Sequence, residues 1–330
     1  MRMYKADHNF TITPYQHLHP RVKYDQILVG YDKDQGRVKR NQTVTMPNPL
    51  FGTEVGDLNV YIYSADRLAS VGDLSPLKIG DCDFSSAVKL QEIILGSSEE
   101  GYFNPNLKNL SIGNNELLTL VDVTNCNNPE FANIDLSGCH GLETLLAEGT
   151  KLTGVTLPDG GHLKTLKLPA SIVNLTIKNQ KNIETLSLES QENLEVLRIE
   201  GTPGLPIEDL INNSPALRRV RLIDVEWHAT DEETLRTTMA KLTDENNKIG
   251  GLDATGLNID KPVLTGRVHV DSIDHEFLEK ISETFPELVV VVNGVPQYFI
   301  RYVDYDAETL YWYIAEENSA AIDPILLGKI

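Results

Sequence analysis

Residues Gly154–Leu188 read GVTLPDGGHLKTLKLPASIVNLTIKNQKNIETLSL, and one short pattern recurs in them. An apolar residue is followed by two variable ones, a second apolar residue, one variable residue and a third apolar residue: Leu163/Leu166/Leu168, Ile172/Leu175/Ile177 and Ile183/Leu186/Leu188. The last three positions of each copy alternate apolar with polar, which is the two-residue period of a strand with one packed and one wet face. The same pattern extends outward to Leu107/Leu110/Ile112, Leu118/Val121/Val123, Phe131/Ile134/Leu136, Leu142/Leu145/Ala147 and Leu152/Val155/Leu157 on one side, and to Leu194/Leu197/Ile199 and Leu217/Val220/Leu222 on the other. Successive copies start 11, 13, 11, 10, 11, 9, 11, 11 and 23 residues apart. A single strand of this kind cannot bury its apolar face alone, so copies at near-constant spacing are expected to stack and share one core.

The pattern resembles that of leucine-rich-repeat proteins, whose coils run about 20 to 29 residues. A spacing near 11 then implies two short strands per coil of about 22 residues, one on each side of a flattened spiral. The resemblance implies a mainly β solenoid over residues 107–225. Cys126 and Cys139 each fall three residues beyond the last apolar position of their copy, in VDVTNC and IDLSGC. That is where the family places an inward-turned Asn or Cys that satisfies backbone groups at a corner. With Cys82 they make three cysteines, an odd number without paired spacing, so buried, reduced thiols are expected rather than a disulfide framework or a zinc site.

Sorting the strands by coil places Asn109/Ser111, Asn133/Asp135, Gly154/Thr156, Asn174/Thr176, Val196/Arg198 and Arg219/Arg221 on one outer face, and Leu120/Asp122, Thr144/Leu146, Thr165/Lys167 and Thr185/Ser187 on the other. Small hydroxyl and amide side chains suit a solvated strand surface. They also suit a flat hydrogen-bonding platform. The candidate partner-binding residues are Asn133, Asp135, Asn174, Thr176, Arg198, Arg219 and Arg221, with the three arginines forming a patch at one end.

The flanks read differently. Residues 1–50 have little apolar periodicity and are read as an N-terminal arm or attachment segment; residues 51–106, with LNVYIYS and KLQEIIL, are read as an N-terminal cap and first irregular coil. Residues 226–295 are expected to form a helix-containing cap. Thr230 with the acidic residues after it reads as a capping box ahead of a Leu235/Met239/Leu242 stripe, and Asp274 as the cap of a second helix with Phe277, Leu278, Ile281 and Phe285 on one side. Strand-like Gly266–Val270 and Leu288–Val292 around that helix predict a parallel crossover. Residues 296–330 alternate aromatic and polar side chains about Asp304–Glu308, predicting a hairpin. That segment resembles the start of the small β-repeat of internalin-type surface proteins, with Ala307 where the family has glycine, and Ile330 falls about half-way through such a module.

The order VYIYSADRLASVGDLSPLKIGDCDFSSAVKLQEI, the repeats with LRIEGTP, and then the β-module resembles leucine-rich-repeat tail proteins of phages and prophages of Firmicutes. The resemblance implies a virion structural protein of the tail or baseplate, bound to other virion proteins or copies of itself and contacting a host-surface glycan or protein. A bacterial cell-surface or secreted adhesin is the alternative.

Composition narrows the remaining classes. Against 29 basic residues stand 48 acidic ones, a net charge of -19, and residues 226–330 alone carry 20 acidic and 8 basic. This speaks against nucleic acid, whose phosphates call for clustered Lys and Arg. No run approaches the roughly 18 apolar residues of a membrane span, and Met1–Pro20 lacks the basic start and apolar stretch of a secretory signal. No phosphate loop, G-x-S-x-G or H-E-x-x-H is present. His17 and His19 would share one side of a strand, with no third ligand in view. The expectation is a non-enzyme with no catalytic, cofactor-binding or metal site and no cofactor.

Overall fold

The apolar positions of the pattern are mostly leucine, isoleucine and valine, and the residues between them are mostly polar, a composition that fits a pleated, half-buried surface. The chain accordingly folds mainly as short strands gathered in parallel sheets. The computed structural model describes residues 68–76, 79–242 and 262–297 in full, and elsewhere the backbone of the elements named below. The chain divides into two compact units, Met1–Leu194 and Glu195–Ile330.

In the first unit, the stretch read as an arm runs through strands β1 (Arg2–Met3), β2 (Phe10–Pro14), β3 (Ile27–Tyr31), β4 (Gln35–Val38) and β5 (Val44–Met46), followed by β6 (Leu58–Tyr63) and β7 (Leu68–Ser70). Their pairings are antiparallel. From β8 (Ile79–Phe84) onward the character changes. Strands β9 (Glu92–Ile94), β11 (Leu120–Asp122), β13 (Thr144–Leu146), β15 (Thr165–Leu168) and β17 (Thr185–Leu188) form one parallel sheet in that order. The strands between them in sequence, β10 (Asn109–Ile112), β12 (Asn133–Asp135), β14 (Gly154–Thr156) and β16 (Asn174–Lys178), belong to other parallel pairings, β8 with β10 and β12 with β14 with β16. The chain therefore alternates between sheets at every strand. Registers align Ile93, Val121, Leu145, Leu166 and Leu186 in one row across the five-stranded sheet.

The apolar pattern is the core. Every patterned position is buried except Ile112, Val155, Leu157, Ile183, Leu186 and Leu188. Three of these exceptions sit on or just before β17, the last strand of its sheet, where no further row of side chains covers them. Leu186, an expected core residue, is consequently only half-buried. Close stacking also dictates glycine at particular points. A Cβ on Gly96 would meet the Thr124 backbone nitrogen and oxygen at 2.2 Å, and one on Gly141 would meet the Glu116 carbonyl at 2.0 Å.

In the second unit β18 (Val196–Glu200), β19 (Arg219–His228), β20 (Val263–Val270) and β21 (Leu288–Val292) are parallel neighbours in sequence order. Each crossover carries a helix: α1 (Ile207–Asn212), α2 (Glu232–Thr243) and α3 (His275–Thr284). The first of these fills the 23-residue interval in the pattern and was not foreseen. Leu235, Met239 and Leu242 are buried on α2, and Phe277, Leu278 and Ile281 on α3. The cap of α2 is Asp231 rather than Thr230. Its Oδ1 accepts the Thr234 N–H at 2.7 Å, which holds its carboxyl below the ordinary range. The Thr230 N–H instead donates to Glu208 Oε2. Asp274 occupies the capping position of α3 without a side-chain cap bond and reaches Arg236 across to α2. Lys241 closes the carboxyl end of α1 by donating to the Ile211 and Asn212 carbonyls, where a cation is favoured.

A bulge lies where β19 passes from Leu222 to Val225. Opposite it stands Gly266, with φ of +115° and Val225 O only 2.0 Å from where a Cβ would sit. β21 turns through Asn293 and Gly294, both at positive φ, into antiparallel β22 (Val295–Asp304), which pairs with β23 (Thr309–Glu316). That Asn-Gly pair is the favoured two-residue hairpin turn. The segment read as a separate partial module, 296–330, thus contributes two strands to the sheet of the helix-bearing unit. No helix among the described residues is long and apolar enough to cross a membrane.

Candidate interaction face

Side chains three residues past several copies of the pattern turn inward and bind backbone carbonyls. Cys126 Sγ faces the Leu95 carbonyl at 3.4 Å and Cys139 Sγ the Gly113 carbonyl at 3.8 Å. Both are buried, as is Cys82. Burial raises the thiols of Cys82 and Cys126 to about 12 and that of Cys139 to about 11, so none is a thiolate near neutrality. The sequence reading singled out the cysteines and passed over their equivalents. Asn115 Nδ2 donates to the Ala87 and Leu90 carbonyls at 3.0 and 2.7 Å while its Oδ1 accepts the Leu117 N–H. Asn104, Thr150 and Gln180 do similar work at their corners. All four are buried polar side chains with backbone partners, so they belong to the fold rather than to a ligand.

Of the expected face, Asn133, Asp135, Asn174 and Thr176 lie in the first unit. Asn133, Gly154 and Asn174 form one row across β12, β14 and β16, and Asp135 stands beside Thr156. Asp135 Oδ1 accepts the Ser137 N–H at 2.9 Å, closing the turn after β12. Arg198, Arg219 and Arg221 lie in the second unit. Arg198 is opposite Arg221, and Arg219 is opposite Val196. Like charges opposed on paired strands repel, and here the repulsion is relieved because Arg198 is ion-paired with Glu200. Arg221 is half-buried with its Nε buried and unbonded. The arginine patch is therefore partly neutralised by its own strand.

Sequence reasoning missed the hollow that the first of these groups lines. A groove of about 670 Å³ lies over β14, bounded by Asn133, Ser137 and His140 on one side and Asn174, Thr176 and Lys178 on the other, with Gly154, Val155 and Leu157 beneath. Gly154 was the available signal, since a glycine inside a strand marks a close approach or a break. A second hollow of about 820 Å³ lies between α2 and α3. Its Arg236 is committed to Glu232, to Asp274 and to the Phe277 ring 4.2 Å away. Among the described residues no three His, Cys, Asp or Glu side chains gather as metal ligands, and His17 and His19 lie outside those residues. Comparison with protein-family models, with curated proteins and with solved structures finds no match.

Proposed function

We propose that the chain is a leucine-rich-repeat solenoid serving as a non-catalytic scaffold of a phage tail or baseplate, presenting a polar strand face to another macromolecule. One observation carries the scaffold reading: strands about 11 residues apart alternate between parallel sheets, with an in-register apolar row inside and an Asn, Cys, Thr or Gln at the corners. That arrangement satisfies a polar backbone and an apolar core together in a stack whose outer face is free to vary. The tail assignment rests on the resemblance of the flanking segments and repeats to phage proteins. Other virion proteins, copies of the chain, and a host-surface glycan or protein are its proposed partners.

Electron cryo-microscopy of tail particles from cells expressing the chain, with an antibody against residues 107–225, is the test. Density and label at the distal tail are expected. Complete, infectious particles that lack the chain would overturn the virion assignment.

A further inference from the structure

The groove over β14 unites three observations. First, β14 meets β12 along three rungs but meets β16 at one, Gly154 against Asn174. The strands then part, and the next backbone bond joins Gly160 N to Lys178 O. The parting leaves Val155 and Leu157 half-exposed on the groove floor, although both are pattern positions that are buried in most other copies. Second, Gly154 removes one side chain from the row between Asn133 and Asn174, and a Cβ there would lie 2.6 Å from Asn133 Oδ1. Third, five of the lining side chains are uncommitted. Several surface amides elsewhere in the unit are used within the fold: Asn109 on Asp81, Asn125 on Ser97 O, Asn179 on Asp159 and Asn193 on Ala170 O. Among the described residues, the side chains of Asn133, Asn174, Thr156, Thr176 and His140 make no such bond while converging on one hollow.

Resting on the scaffold reading above, we infer that this groove binds a segment of a neutral oligosaccharide. Amides and hydroxyls each donate and accept, as sugar hydroxyls do, and the exposed faces of Val155 and Leu157 suit the C–H face of a pyranose. An anionic ligand would require clustered, fork-shaped cations. The groove has Lys178 alone among its lining residues, beside an Asp159 whose Oδ1 accepts the Asn179 amide at 2.6 Å. The volume falls in the range of about 300–1,000 Å³ typical of ligand sites.

The test is saturation-transfer NMR and titration calorimetry of the full chain with chitopentaose, maltopentaose and mannopentaose, with a heparin pentasaccharide as the anionic counterpart. At least one neutral probe is expected to bind with Kd between about 10 μM and 1 mM. Gly154→Val should weaken that binding more than about 20-fold, because its side chain fills the notch. Asn174→Ala, an exposed truncation that leaves the core untouched, should weaken it about five-fold, and Thr144→Ala on the other sheet should leave it unchanged. If Gly154→Val does not fold by circular dichroism, Asn174→Ala decides. Absence of binding by all three neutral probes at 10-millimolar levels (about 10 mM, beyond useful affinity), binding of the heparin fragment alone, or equal binding by Asn174→Ala overturns the inference. The chain found on tails without saccharide binding would sink the ligand and leave the scaffold standing. Saccharide binding by a chain absent from tails would do the reverse.

Discussion

Leu166 and Leu186 occupy the same row of the five-stranded sheet, one strand apart, and their truncation to alanine separates interior from edge. Leu166 has no exposed surface and lies between Leu145 and Leu186. Removing its three outer carbons loses roughly 2 to 2.5 kcal/mol of transfer free energy at about 0.8 kcal/mol per methylene. The cavity, enclosed by strands on both sides, adds more, for a total of about 3 to 4 kcal/mol within the usual range of about 2 to 5. Leu186 is half-buried on the last strand of the sheet. It should lose about half the transfer term and leave no closed cavity, for about 1 to 1.5 kcal/mol. Urea unfolding followed by circular dichroism reads both, with the first transition analysed separately if the two units melt apart. Equal costs at the two positions would refute the placement of Leu186 at an edge, and a neutral Leu166→Ala would refute the register of the whole row.

Asn115→Ala should destabilise by about 2 to 4 kcal/mol in the same assay, because it strands the Leu90 carbonyl and the Leu117 N–H and takes from the Ala87 carbonyl one of its two donors; a loss under about 0.5 kcal/mol would show that water replaces the amide. The thiols make stability fall in alkali. Their folded values lie above the ordinary thiol value of 9.0, so from about pH 9 the unfolded chain releases protons that the folded chain retains up to about 11 or 12. Each thiol contributes a slope of at most about −1.4 kcal/mol per pH unit in that window and nothing below it. A triple Cys→Ala variant should therefore show a shallower decline between pH 9 and 11 than the parent, and parallel curves would contradict thiol burial. Asp231→Ala should lower the thermal midpoint of the second unit while Thr230→Ala leaves it nearly unmoved, read by near-ultraviolet dichroism of Trp227; the opposite order would restore Thr230 as the cap.

Legibility in the sequence followed locality. The strand pattern was readable because alternation and spacing are properties of neighbouring residues, and so were α2 and α3, whose buried stripes recur at helical intervals. Helix α1 was not, because its six residues are too few to display a period. Cys126 and Cys139 stood out by rarity, whereas Asn115 and Gln180 looked like ordinary surface amides until neighbouring turns supplied the carbonyls they bind.

The sequence by itself determined that short strands would be packed on one side and wet on the other, because a period of two admits no other way to bury those leucines. Tertiary structure alone decided where that regularity fails. The parting of β14 from β16, the half-exposure of Val155 and Leu157, and the opposition of Arg198 to Arg221 all depend on what lies beside a strand rather than along it. Lateral neighbours are about 20 residues distant in sequence at each of these strand pairs, Gly154 opposite Asn174 and Arg198 opposite Arg221 among them. Their contacts are fixed only when the sheet closes, since register is set by the packing of whole faces and not by any single side chain.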